Sequence, residues 1–190
     1  MHKRIIKHFF IGLLILITAA NALPAQDSLM NKPDKSKWID LRVGFIGDLK
    51  GTGMEFPALS LGMGGNYGIR TIVYSLRLNY NKEMILPEDA PPRTHIWDLG
   101  VLIGKNFTGG KNGFRRIILS GGIGMIWGTE YIGTGMYSNQ ENRISSLGFI
   151  AEFKMFWTYE FMGMGLGAIV NINPEIHYFG GVLYIPIGFF

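Results

Sequence analysis

Asp40 and Arg42 are spaced two residues apart, as are Glu152 and Lys154, while Arg77 and Asp98 stand singly among apolar and small neighbours. Three carboxylates in one protein can hold a metal or divide the work of an acid and a base. Equal numbers of opposite charges can instead neutralise one another as a buried paired network. With three charges of each sign, the paired network is the simpler reading. A general base needs a nucleophile within hydrogen-bond reach, and neither His95 in HIW nor His177 in HYF has a serine two residues on. Both read as strand-end residues, and their separation gives no metal-ligand spacing. The run GMGLGA at 163–168 matches a dinucleotide pattern, but its glycines fall on one face of an alternating stretch and no helix follows to receive a phosphate. No catalytic, cofactor-binding or metal residue is assigned, and no cofactor is expected.

The composition narrows the setting for these charges. A chain of 190 residues that is 47% hydrophobic holds one domain with a substantial core. It has no cysteine, which removes disulfides, thiolate metal sites, cysteine nucleophiles and a lipidated cysteine anchor. The net charge of +4 includes Lys3, Arg4 and Lys7. The opening MHKRIIKHFFIGLLILITAANALPAQ couples that basic head to an apolar run from Phe9 to Ala20, with small residues at Ala20, Ala22 and Ala25. Twelve apolar residues are too few to span a bilayer as a helix, so residues 1–25 read as a signal peptide cut after 22 or 25. Removing it leaves 15 basic against 14 acidic side chains (18 less three), too even a balance for a nucleic-acid partner. Residues 26–37 read as a polar periplasmic linker.

From Trp38 onward the recurring signal is alternation with period two. In 71–80, Ile72, Tyr74, Leu76, Leu78 and Tyr80 oppose Thr71, Val73, Ser75, Arg77 and Asn79. In 143–157, Leu147, Phe149, Ala151, Phe153, Met155 and Trp157 oppose Ser146, Gly148, Ile150, Glu152 and Lys154. The same test predicts eight strands, at about 38–46, 57–67, 70–80, 95–105, 114–128, 143–157, 160–171 and 177–190. The second face is mostly Gly, Ser and Asn with the six charges, which suits a narrow lumen better than bulk water. The apolar face then meets lipid. Tyr80, Trp97 and Trp127 fall near one set of strand ends on that face, and Tyr67 and Trp157 near the other, where a bilayer places interfacial aromatics. Connections at 47–56, 81–94 and 129–142 are expected to be long loops, alternating with the short GNYGI and WTYE and the intermediate KNFTGGKNG. LPEDAPPR at 86–93 reads as a solvated loop.

With its signal peptide, eight dyad-repeat strands and C-terminal Phe190, the stretch 38–190 resembles the small eight-stranded outer-membrane β-barrels of Gram-negative bacteria. The resemblance implies an all-β, antiparallel up-and-down transmembrane barrel located in the cell outer membrane. It implies outer-membrane lipids, including lipopolysaccharide, and the barrel-assembly machinery as partners, with Phe190 as an assembly signal. In a bacterial protein the sequon NFT at 106–108 carries no meaning. The apolar register Leu183, Ile185, Ile187 and Phe189 is out of phase with Phe190, and a bulge at Pro186 would restore the phase. The resemblance implies a structural or surface-interaction role through the outer loops, since eight strands leave no general pore. Two alternatives stand beside it. One is a lipid-modifying enzyme acting on lipid A acyl chains, against which HYF has Phe179 where a deacylase pattern has serine. The other is a secreted soluble barrel binding an apolar ligand.

Overall fold

The computed structural model describes residues 35–48, 58–84, 94–109, 115–133 and 139–190. The predicted signal peptide, the linker through residue 34 and the loop at 86–93 lie outside the described residues. Alternating segments bury one face only by pairing side by side, and eight of them do so: β1 (Lys35–Asp48), β2 (Ala58–Ile69), β3 (Ile72–Glu83), β4 (His95–Gly109), β5 (Arg115–Gly133), β6 (Asn139–Tyr159), β7 (Met162–Ile172) and β8 (His177–Phe189). Each is antiparallel to its neighbours in sequence order, and β1 closes on β8 from Lys37↔Phe189 to Asp48↔Tyr178. The result is an all-β, up-and-down barrel without a free sheet edge around its body.

Both ends of the barrel wall, the start of β1 and the end of β8, lie at one rim, here the terminal rim. Two of the connections at this rim are two-residue turns, with Arg70 and Glu160 each in the left-handed region at φ 53°. That conformation matches the twist of a tight hairpin.

The strands differ from their predicted limits in instructive places. β1 begins at Lys35, inside the expected linker, because Lys35 to Lys37 continue the ladder with β2 down to Ile69. The expected loop 129–142 is largely strand: β5 and β6 pair from Arg115↔Trp157 out to Gly133↔Asn139. β4 follows β5 only to Thr129, and β7 meets β6 only from Phe149 inward. The tips of β5 and β6 therefore pair with each other alone and project beyond the barrel wall. Their sequence there, EYIG and NQEN, lacks the apolar alternation, so period two could not reveal them.

The bulge expected at Pro186 does not form. The β1–β8 register runs without a step through Asp40↔Pro186 to Lys37↔Phe189. Pro186 lacks a donor, and its effect appears on the other side: the β7–β8 ladder holds its register from Ile172↔His177 to Gly165↔Tyr184 and resumes at Met162↔Ile187, skipping the positions around the proline. Phe190 consequently faces inward while Phe189 faces out.

Candidate functional site

The interior is stacked in three layers that can be read along single strands. On β1 the inward residues run Trp38, Asp40, Arg42, Gly44 and Ile46, and on β6 they run Phe156, Lys154, Glu152 and Ile150. Each sequence passes from apolar, through charged, to apolar. At the terminal rim, Trp38, Val73, Ile118 and Phe156 are buried together, with Phe190 packed against them. The ring centres of Trp38 and Phe156 lie 5.8 and 6.1 Å from that of Phe190, and the Arg116 guanidinium sits 5.4 Å from its centre. At the opposite end a larger cluster includes Ile46, Ile96, Ile126, Ile144, Ile169 and Ile176.

Between these layers the structure brings all six predicted lumen charges together, every one of them buried. Glu152 is the hub. Its Oε1 accepts from Arg42 at 2.8 Å and from the Tyr184 hydroxyl at 3.0 Å and lies 3.9 Å from Arg77, while its Oε2 is 3.2 Å from Lys154. Lys154 also donates to Asp40 at 2.6 Å and to the Asn66 side-chain oxygen at 3.2 Å, and Arg42 reaches Asp40 at 3.4 Å. Arg77 donates to Asp98 at 2.5 Å, and Asp98 accepts further from Tyr178 and Asn171. Charges removed from water cost several kcal/mol each, about that order even after relaxation, unless opposite charges and hydrogen bonds surround them. Here every carboxylate meets at least one cation. Small residues make the room: a Cβ at Gly64 would strike the Arg42 guanidinium, and one at Gly167 would strike the Tyr184 ring.

The outward aromatics separate into two sets. Tyr80, Trp97 and Trp127 are cross-strand neighbours on β3, β4 and β5, with ring centres 4.8 Å apart for the first pair and 6.4 Å for the second, whose planes differ by 10°. They form one row near the rim opposite the termini. Tyr67 and Trp157 lie toward the terminal rim, but on β2 and β6, and the barrel does not bring them together. Tyr67 instead pairs with Tyr74 and lies 5.5 Å from the Lys37 amine. His95 and His177 sit at the starts of β4 and β8. Asn106 of the NFT run is buried in the lumen, and the GMGLGA run lies wholly within strand β7.

Comparison with solved structures finds the same architecture at low identity. Neisserial surface protein A superposes with a TM-score of 0.56 at 11% identity, over 82% of this chain and 96% of that one. The attachment invasion locus protein Ail of Yersinia pestis gives 0.53 at 10% identity, over 82% and 96%. The N-terminal β-barrel domain of Pseudomonas aeruginosa OprF gives 0.52 at 12%, over 80% and 97%. The fold is that of the small eight-stranded outer-membrane barrels. No protein-family model and no curated protein matches the chain.

Sequence reasoning missed the two apolar layers inside the barrel. The signal was available in the parity of the charges. Counting by twos from Asp40 reaches Trp38 and Ile46, from Arg77 reaches Val73, and from Glu152 reaches Ile144, Ile150 and Phe156.

Proposed function

We propose that the protein is an integral outer-membrane barrel with a structural or surface-interaction role, a sealed body that holds the β5–β6 hairpin out from the cell. The supporting observation is the inversion of its two faces. Leu76, Val101, Ile123 and Leu147 are 55–71% exposed on the outer wall, while Arg77 and Lys154 are fully buried inside. An outward surface of that kind is stable against hydrocarbon and unstable against water. The aromatic row Tyr80, Trp97 and Trp127 fits the outer interface, and the short turns and termini fit the periplasmic rim. The lumen, filled by charge pairs between apolar layers, supports a mount rather than a general porin. Export by the N-terminal leader, insertion by the barrel-assembly machinery and contact with lipopolysaccharide around the outer rim belong to the same reading.

The absence of cysteine makes the test direct. Glu141→Cys, on the projecting part of β6, should react with a membrane-impermeant maleimide on intact cells, and the protein should remain in the membrane fraction after carbonate or urea washing. Recovery in the soluble periplasm, or labelling only after lysis, overturns the proposal.

A further inference from the structure

Outward side chains form rows across the strands at matching heights. One row runs Ile187, Ile39, Gly65, Leu76 and Val101 through β8, β1, β2, β3 and β4. Every position but one carries a bulky apolar side chain. Above Gly65 no atom lies within 4 Å of where a Cβ would stand. The missing side chain leaves a gap between Ile39 and Leu76, at the floor of a shallow, open depression of about 780 Å3 that Lys37, Tyr67, Tyr74, Val101 and Ile187 also line.

The next row toward the terminal rim changes character. It holds Lys37, Tyr67 and Tyr74 side by side, with the Lys37 amine 5.5 Å from the centre of the Tyr67 ring. Farther along this sector of the rim come Lys35, Arg70 in the β2–β3 turn and Lys105 opposite Ile72. Among the described residues, β1 to β4 place no acidic residue at this rim; Asp40 and Asp98 are in the lumen, and Asp48 and Glu83 are at the other ends of their strands. An apolar groove therefore opens onto a cationic, phenolic mouth at the level of the headgroups.

We propose that the Gly65 groove binds one anionic phospholipid of the periplasmic leaflet, an acyl chain lying over Gly65 and the phosphate held at Lys37 beside the tyrosine hydroxyls. The inference rests on the membrane reading above. The chain replaces the apolar volume that Gly65 omits from its row, and the cationic mouth selects the headgroup. Lipopolysaccharide is the poorer occupant because the mouth faces the terminal rim, away from the outer leaflet.

The test is native mass spectrometry of the full barrel released from nanodiscs of mixed phosphatidylglycerol and phosphatidylethanolamine, with a second preparation supplied with lipid A. Wild type should retain one phosphatidylglycerol, preferred about fivefold over phosphatidylethanolamine, as one Lys near the surface would give. Gly65→Leu should lower retention about tenfold by filling the gap over which the chain lies. Lys37→Gln should abolish the preference while keeping a retained chain. Gly181→Leu, at another outward glycine with open space above it, should behave as wild type. Equal retention by wild type and Gly65→Leu, indifference to headgroup, or preferential retention of lipid A overturns the site. Should Gly65→Leu fail to insert, the Lys37→Gln arm decides. A wild-type barrel that inserts yet retains no lipid refutes the site alone, whereas one that does not insert refutes the membrane reading as well.

Discussion

Leu76 and Arg77 are consecutive on β3, yet Leu76 is half exposed on the outer wall and Arg77 is fully buried in the lumen. The two faces obey different rules. On the proposed membrane reading, outward positions need only be apolar and can exchange Leu, Ile, Val, Met or Phe, because lipid makes no directional demand. Inward positions must satisfy particular partners, since Arg77 is stable only where Asp98 and Glu152 surround it. A barrel of this size is thus tolerant outside and exacting inside, and substitutions on the two faces should separate cleanly.

The largest effect should come from the hub of the lumen. Glu152→Ala leaves Arg42, Arg77 and Lys154 facing an absent carboxylate and should cost about 3–5 kcal/mol in a urea unfolding titration of the folded barrel in liposomes. Because the damage is uncompensated charge, adding Lys154→Ala should recover part of the loss. A Glu152→Ala variant no weaker than one carrying the outward Phe153→Leu would mean that the charges do not act as a unit.

Outside, apolarity is the rule to break. Leu76→Arg places a guanidinium against hydrocarbon and should cost about 2–4 kcal/mol, more if the residue lies at the bilayer midplane than near an interface. Its inward neighbour Ser75 donates to Asn66 at 2.7 Å, and Ser75→Ala should cost only about 0.5–1.5 kcal/mol. Equal losses for the two in the same titration would show that the faces are not solvated differently.

The same contrast explains what could be read from the sequence. The outer face was legible because a single repeated property, apolarity at every second residue, marks all eight strands, and the charge pairs were legible because charges are rare on such strands. The apolar layers inside were hidden, since Ile150 and Phe156 look like interruptions of a small polar face until the lumen's ends are recognised as cores of their own. The reach of β5 and β6 was hidden for another reason. Past Thr129, β5 has no neighbour but β6, so the pressure that maintains alternation disappears, while the ladder continues through Glu130↔Asn142 to Gly133↔Asn139. At the C-terminus the expected bulge followed from taking the lipid face as the natural place for a final aromatic, but Phe190 has a core to enter.

That ending gives the smallest and most discriminating test. Phe189 is 82% exposed and belongs to the outer face, whereas Phe190 belongs to the inner one, against Trp38 and Phe156. Phe190→Ala should cost about 1–2 kcal/mol, from lost area and two ring contacts, and Phe189→Ala less. Alanine is the better probe than aspartate, because an aspartate at 190 would gain the nearby Arg116 as a partner and blur the result. Two measurements at matched expression separate packing from recognition: the unfolding titration, and the amount of heat-modifiable, membrane-inserted barrel in cells. If Phe190 acts through packing, both fall together. If it is read by the assembly machinery, the inserted amount should fall well beyond what the lost stability explains, and deletion of Phe190 should do at least as much because it removes the aromatic altogether. Equal behaviour of the 189 and 190 alanine variants in both measurements would mean that the inward core at this rim contributes no more than one further contact with lipid.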